Sequence, residues 1–182
     1  DTITSFAELA QALDLPIDSF DSQVGQFPLK VPRRFVQKMG KGDIHDPLLK
    51  QVLPTFQETV QVTGFVTDPL DEQHANPVKG IIHKYASRVL IPVTGACVVN
   101  CRYCFRQHFD YHENLPTQND WQAISAYITA HPAVNEVILS GGDPLSLSNR
   151  RLLELFPTLE ALPQVQTIRT HTPVPVLLPQ RL

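Results

Sequence analysis

Cys97, Cys101 and Cys104 are the only cysteines in the 182-residue sequence, and all three fall within eight consecutive positions. An odd number so closely spaced cannot build a disulfide framework, so the thiols are placed for metal. Three thiolates on one loop suit iron–sulfur chemistry, for which thiolate is the preferred ligand. Three instead of four matters, because a cluster held by four protein thiolates is coordinatively full, whereas one held by three leaves an iron that can bind and reduce a substrate. The competing reading is a structural zinc site in which His108 completes Cys97-x3-Cys101-x2-Cys104-x3-His108. Structural zinc sites usually knit small ribbons and knuckles, whereas this loop directly follows an apolar run.

That run, Arg88 to Thr94 (RVLIPVT), reads as a strand buried in a parallel sheet, and it delivers Cys97 just past its carboxyl end, where α/β proteins place their sites. Downstream, Asn119 or Asp120 caps a helix carrying Trp121, Ile124, Tyr127 and Ile128. Glu136 to Leu139 forms a short buried strand, and Ser140-Gly-Gly-Asp-Pro144 a sharp loop. Arg151 to Leu162 is helical by period, with Pro157 expected to kink or split it, and Gln166 to His171 is a third strand. Strand, helix, strand, helix, strand is the order of βαβ units with parallel strands. Residues 1–84 read as short helices joined by turns: one from Phe6 to Leu13 behind Thr4 and Ser5, one opening at Pro32, one near Asp46-Pro47, and an irregular loop from Gly64 to Pro77. The expected fold is therefore α/β, with a small helical region over 1–84 preceding the first three strands of a barrel over 85–182. Three parallel strands alone would leave an open edge, so the chain is expected to be part of a longer protein.

Net charge is only −3 and the basic residues are scattered, which argues against nucleic acid or an anionic membrane as partner. No apolar run reaches membrane-spanning length and no secretory leader is visible, so a cytoplasmic location is expected.

The segment CVVNCRYCFR matches the CxxxCxΦC cluster motif of radical S-adenosylmethionine enzymes, with Tyr103 as the aromatic residue. The longer stretch HKYASRVLIPVTGACVVNCRYCFRQHF, the later SGGDPL and the terminal PVLLPQRL resemble the lysine 2,3-aminomutase family. Within it, CFRQHFDY, VPRRFVQKM and DPLLKQVLP are most similar to the branch that makes (R)-β-lysine for modification of elongation factor P. The resemblance implies a partial (βα) barrel, a [4Fe-4S] cluster on Cys97, Cys101 and Cys104, and S-adenosylmethionine held by Ser140, Gly141, Gly142 and Asp143. It further implies pyridoxal 5′-phosphate met at its phosphate by Lys84, Tyr85 and Arg88, and Arg106 pairing with the carboxylate of L-lysine. Glycines allow close backbone approach, a carboxylate suits an ammonium, and a planar guanidinium fork suits a carboxylate or phosphate.

The resemblance also implies a reductant such as flavodoxin as electron donor. The lysine that would carry pyridoxal phosphate is missing, because no lysine follows Lys84. These residues by themselves are thus expected to be inactive. Two alternatives stand beside the elongation factor branch: a metabolic lysine 2,3-aminomutase, and a non-catalytic Cys3His zinc module. His108, His112 and His171 otherwise read as ordinary polar or core histidines.

Overall fold

The computed structural model describes residues 2–20 and 28–182, which divide into two compact units. The first comprises Asp1–Thr67, Val98–Gln107 and Val174–Leu182; the second comprises Asp68–Cys97 and His108–Pro173.

In the first unit, strand β1 (Thr2–Ile3) pairs antiparallel with β2 (Val31–Pro32). Helix α1 (Phe6–Leu13) buries Leu9, Ala10 and Leu13 and is closed by Asp14 in the left-handed conformation, just before Pro16 can stop it. The helix expected from Pro32 is a single turn, α2 (Arg33–Val36), and Pro32 itself belongs to β2. Phe35, Val36 and Met39 are nonetheless buried together, as their spacing predicts. Near Asp46 only a 3-10 turn forms (Leu49–Gln51), with Leu49, Val52 and Leu53 in the core. Asp46 organises it: its carboxylate accepts from the backbone N–H groups of Gly40, Leu48 and Leu49 at 2.9, 2.8 and 2.9 Å. The Gly40 bond leads the causes that hold its pKa below the ordinary carboxylate value.

In the second unit the sheet order is β3-β4-β5-β6, from Ile82–Tyr85, Arg88–Thr94, Glu136–Gly141 and Thr167–Thr170. Strands β4, β5 and β6 pair in parallel, as the sequence order predicts. Strand β3 was not expected. It pairs antiparallel with β4 across Ala86-Ser87, a two-residue connection without the Asn or Gly that signals a tight hairpin. Helix α3 (Tyr111–Asn114) is a single turn capped by Asp110. Helix α4 (Asp120–Ala130) buries Ile124 and Ile128, and α5 (Asn149–Glu160) buries Leu155 and Leu159. These side chains share a core with Val89, Ile91, Val137 and Leu139 of the sheet. Burying an aliphatic side chain of this kind stabilises a fold by about 1.5–3 kcal/mol.

Pro157 lies inside α5 without splitting it. Proline removes the donor to the carbonyl four residues back, that of Leu153, and Leu153 stands 74% exposed, where water can take the missing bond. Ser148 starts the helix by accepting from the Arg151 N–H at 3.2 Å. Among the described residues no helix is long and apolar enough to cross a membrane.

Candidate functional site

Two loops leave the carboxyl ends of adjacent parallel strands and lock together. After β4 the chain passes through Gly95 and Ala96 to Cys97; after β5 it passes through Gly142 and Asp143. The Gly142 N–H donates to the Thr94 carbonyl at 2.6 Å and the Asp143 N–H to the Ala96 carbonyl at 2.8 Å. The Ser146 hydroxyl lies 2.9 Å from that same Ala96 oxygen and 2.6 Å from the Asp143 carbonyl. Side chains are excluded from this junction. Gly141 has φ +105°, and a Cβ there would stand 2.7 Å from the Thr94 oxygen, while one at Gly142 would overlap the Ala96 carbonyl.

Asp143 is 1% exposed. Its Oδ1 accepts from the Leu145 N–H at 3.0 Å and from the Thr172 hydroxyl at 2.6 Å. Its Oδ2 is enclosed and has no hydrogen-bond partner. A buried polar atom left without a partner costs about 1–3 kcal/mol, and more when charged, so this oxygen is suited to a cationic ligand. Ser140, ahead of the glycines, is also buried. These features fit the ammonium end of an amino acid such as the methionyl portion of S-adenosylmethionine.

Cys97 belongs to the second unit and Cys101 and Cys104 to the first, where the rest of the cysteine loop is anchored. The Asn100 N–H donates to the Lys30 carbonyl at 2.9 Å, and the Asn100 side-chain amide to the Pro28 carbonyl at 2.8 Å. The Arg102 N–H donates to the Gln51 carbonyl at 2.8 Å, while its guanidinium meets Glu58 and the Thr55 hydroxyl. Val99 is buried, and Cys101 packs against the same core. The N-terminal residues thus hold the loop that carries two of the thiols. Burial, followed by the charge of Cys101, a hydrogen bond with Cys101 and the charge of Cys104, pushes the Tyr103 phenol above its ordinary pKa.

All three cysteines are free thiols of intermediate exposure. The donor set fits an iron–sulfur cluster, since thiolates are its preferred ligands. Among the described residues no three His, Cys, Asp or Glu side chains are gathered into a metal-holding group, and metal binding is itself what draws such ligands together. His108 stands exposed.

Arg106 is buried, with its guanidinium 4.6 Å from the centre of the Phe105 ring. Lys84, Tyr85 and Arg88 lie elsewhere, at the amino end of β4, a strand's length from Gly95. All three are exposed, with the Arg88 guanidinium 5.5 Å over the Tyr85 ring. Two cations and a phenol are the right donors for a phosphate, but Arg88 is already engaged. Its Nε lies 3.5 Å from Oε2 of the buried Glu136, whose Oε1 meets Arg169 at 2.7 Å. Glu136, Ser146 and Thr172 were not singled out in the sequence. Glu136 reads there as the first residue of an apolar strand; its ion pairs across the sheet, and the loop contacts of Ser146 and Thr172, are what give these residues roles.

Residues 86–172 match the family model described as a 4Fe-4S single cluster domain. With the cysteine spacing, that match defines a protein of the radical S-adenosylmethionine class. The chain is 47% identical over 177 residues to the L-lysine 2,3-aminomutase of Haemophilus influenzae, covering 96% of this chain and 52% of that protein. It is 48% identical over 156 residues to the enzyme of the same name from Escherichia coli, covering 86% and 45%. The Clostridium subterminale L-lysine 2,3-aminomutase is 35% identical over 150 residues, covering 81% and 36%. The chain belongs to the lysine 2,3-aminomutase family, and it spans about half the length of the first two relatives.

Proposed function

We propose that the protein containing these 182 residues is a radical lysine 2,3-aminomutase that converts L-lysine to (R)-β-lysine for attachment to elongation factor P. The lysine chemistry of this reading is carried by the 47–48% identity to L-lysine 2,3-aminomutases, and its S-adenosylmethionine part by the buried, unpaired Oδ2 of Asp143, set in a glycine junction whose other side runs directly into Cys97. In this reading Cys97, Cys101 and Cys104 hold the cluster, and Ser140, Gly141, Gly142 and Asp143 hold the amino-acid end of S-adenosylmethionine. Arg106 orients the substrate carboxylate with its planar fork, and its burial keeps competing water from that contact. On the resemblance, Lys84, Tyr85 and Arg88 are assigned to the phosphate of pyridoxal phosphate, for which Arg88 has to exchange its pairing with Glu136 for the phosphate. Bound together, these groups supply reductive cleavage of the sulfonium and the electron sink that lets an amino group migrate. The lysine for pyridoxal phosphate lies outside these residues, and a flavodoxin-type protein supplies the electron.

Residues 85–182 are read as the opening strands of a (βα) barrel and residues 1–84 as the region before it. Parallel pairing of β4, β5 and β6 with intervening helices supports that assignment.

The test is anaerobic turnover of the full-length protein, reconstituted with iron and sulfide and supplied with S-adenosylmethionine, pyridoxal phosphate, a reductant and L-lysine. (R)-β-lysine is expected, together with loss of β-lysyl elongation factor P from cells lacking the gene. Production of β-lysine without any effect on elongation factor P would transfer the protein to the metabolic branch. A colourless protein that binds one zinc and turns over nothing would leave the non-catalytic zinc module.

A further inference from the structure

We infer that Thr172 is a positioning residue for S-adenosylmethionine: its hydroxyl fixes Asp143 so that only Oδ2 faces the ligand's ammonium. This rests on the assignment of Asp143 to that ammonium.

Strand β6 ends at Thr170, but its pairing with β5 persists one residue further, through the His171 N–H to the Leu139 carbonyl at 3.1 Å. That bond carries Thr172 past the carboxyl end of the sheet and beside the loop after β5. There its hydroxyl donates to Asp143 Oδ1 at 2.6 Å, a length typical of a charge-assisted O–H···O⁻ bond. The Leu145 N–H donates to the same oxygen at 3.0 Å. A carboxylate can exchange its two oxygens by turning about its terminal torsion, which is broad and nearly two-fold. Two donors converging on Oδ1 oppose that turn. They also saturate the oxygen that does not face the ligand, leaving the buried Oδ2 unpaired. Threonine suits the task because its branched Cβ restricts χ1 and holds the hydroxyl in one direction.

The test uses the full-length protein with its cluster reconstituted anaerobically. Equilibrium binding is measured for S-adenosylmethionine and for its analogue lacking the α-amino group, in the wild type and in Thr172→Val, Thr172→Ser and Asp143→Asn variants. Thr172→Val is expected to weaken S-adenosylmethionine about tenfold, the loss of one hydrogen bond to a charged group, and the desamino analogue by less than about twofold. Thr172→Ser is expected to restore binding to within about threefold of wild type. Equal loss of both ligands in Thr172→Val, or no loss of either, overturns the inference, because a merely structural residue does not distinguish them. Should Asp143→Asn also bind S-adenosylmethionine as tightly as the wild type, the assignment of Asp143 itself fails; normal Thr172→Val binding beside a defective Asp143→Asn removes only the role of Thr172.

Discussion

The two ends of the parallel strands β4, β5 and β6 use polar residues in opposite ways. At the amino end Arg88, Glu136 and Arg169 form an ion-paired ladder: a single buried carboxylate lies between two half-exposed guanidiniums, with the Arg169 guanidinium 2.7 Å from Oε1 although that oxygen receives no hydrogen bond. At the carboxyl end Asp143 is more deeply buried, one of its oxygens has neither a hydrogen bond nor an ion pair, and Gly141 and Gly142 let the two loops approach so closely that any Cβ would meet backbone. The same backbone geometry therefore supports a closed ion-pair ladder at one end and an open valence at the other. A site is marked less by the number of charges than by a buried charge that the protein does not itself neutralise.

The largest effect should come from the thiols that follow the carboxyl end. Replacing Cys97, Cys101 or Cys104 with alanine should abolish cluster assembly, read as iron content falling from about four per chain to near zero, with loss of all turnover. Next, Asp143→Asn removes the charge while keeping the shape. S-adenosylmethionine affinity measured by calorimetry should fall about 10- to 100-fold, since a hydrogen bond to a charged group contributes about 1.5–3 kcal/mol.

Gly142→Ala tests the packing of the same junction. Its Cβ meets the Ala96 carbonyl backbone, which cannot rotate away, so unfolding in denaturant should show a loss of about 1–3 kcal/mol. Glu136→Gln should leave S-adenosylmethionine binding unchanged and cost about 1–2 kcal/mol of stability, less than a fully buried pair because both arginine partners reach solvent. Equal damage to ligand binding from Glu136→Gln and Asp143→Asn would erase the contrast between the ends.

The smallest effect lies away from both ends, at Asp46. Its folded pKa is depressed, so its stabilisation is present above its unfolded value near 3.8 and is lost as pH falls through the lower folded value. Asp46→Asn should lose about 1 kcal/mol at neutral pH, and the difference from wild type should shrink in acid melts below pH 3.8.

Much of this contrast was legible in the chain itself. The apolar runs of β4 and β5, the helix periods of α1, α4 and α5 and the cysteine loop after β4 all report local pattern and stand where expected, whereas β5 runs on through Ser140 and Gly141, so that only Gly142 and Asp143 of SGGD lie in the loop. Strand β3 escaped notice because Ile82–Tyr85 is short and its turn, Ala86-Ser87, lacks turn chemistry. The region before Thr67 holds less regular helix than its spacing predicts: buried Phe35, Met39, Leu49 and Val52 keep their helical spacing while the backbone turns only once. Proline and glycine on either side of those turns limit their length. Thr172, Ser146 and Glu136 could not be read at all, since their partners lie 29, 50 and 48 positions away or are reached only across paired strands.

The account's central claim is that a three-thiolate cluster keeps one iron open to a sulfonium ligand whose ammonium Asp143 receives. Electron paramagnetic resonance of the reduced, reconstituted full-length protein, recorded with and without S-adenosylmethionine, tests it most directly. The expected result is a [4Fe-4S] signal that changes on adding S-adenosylmethionine in the wild type and needs much more of it in Asp143→Asn. A cluster signal indifferent to S-adenosylmethionine at every concentration, or a protein that assembles no cluster at all, would contradict it.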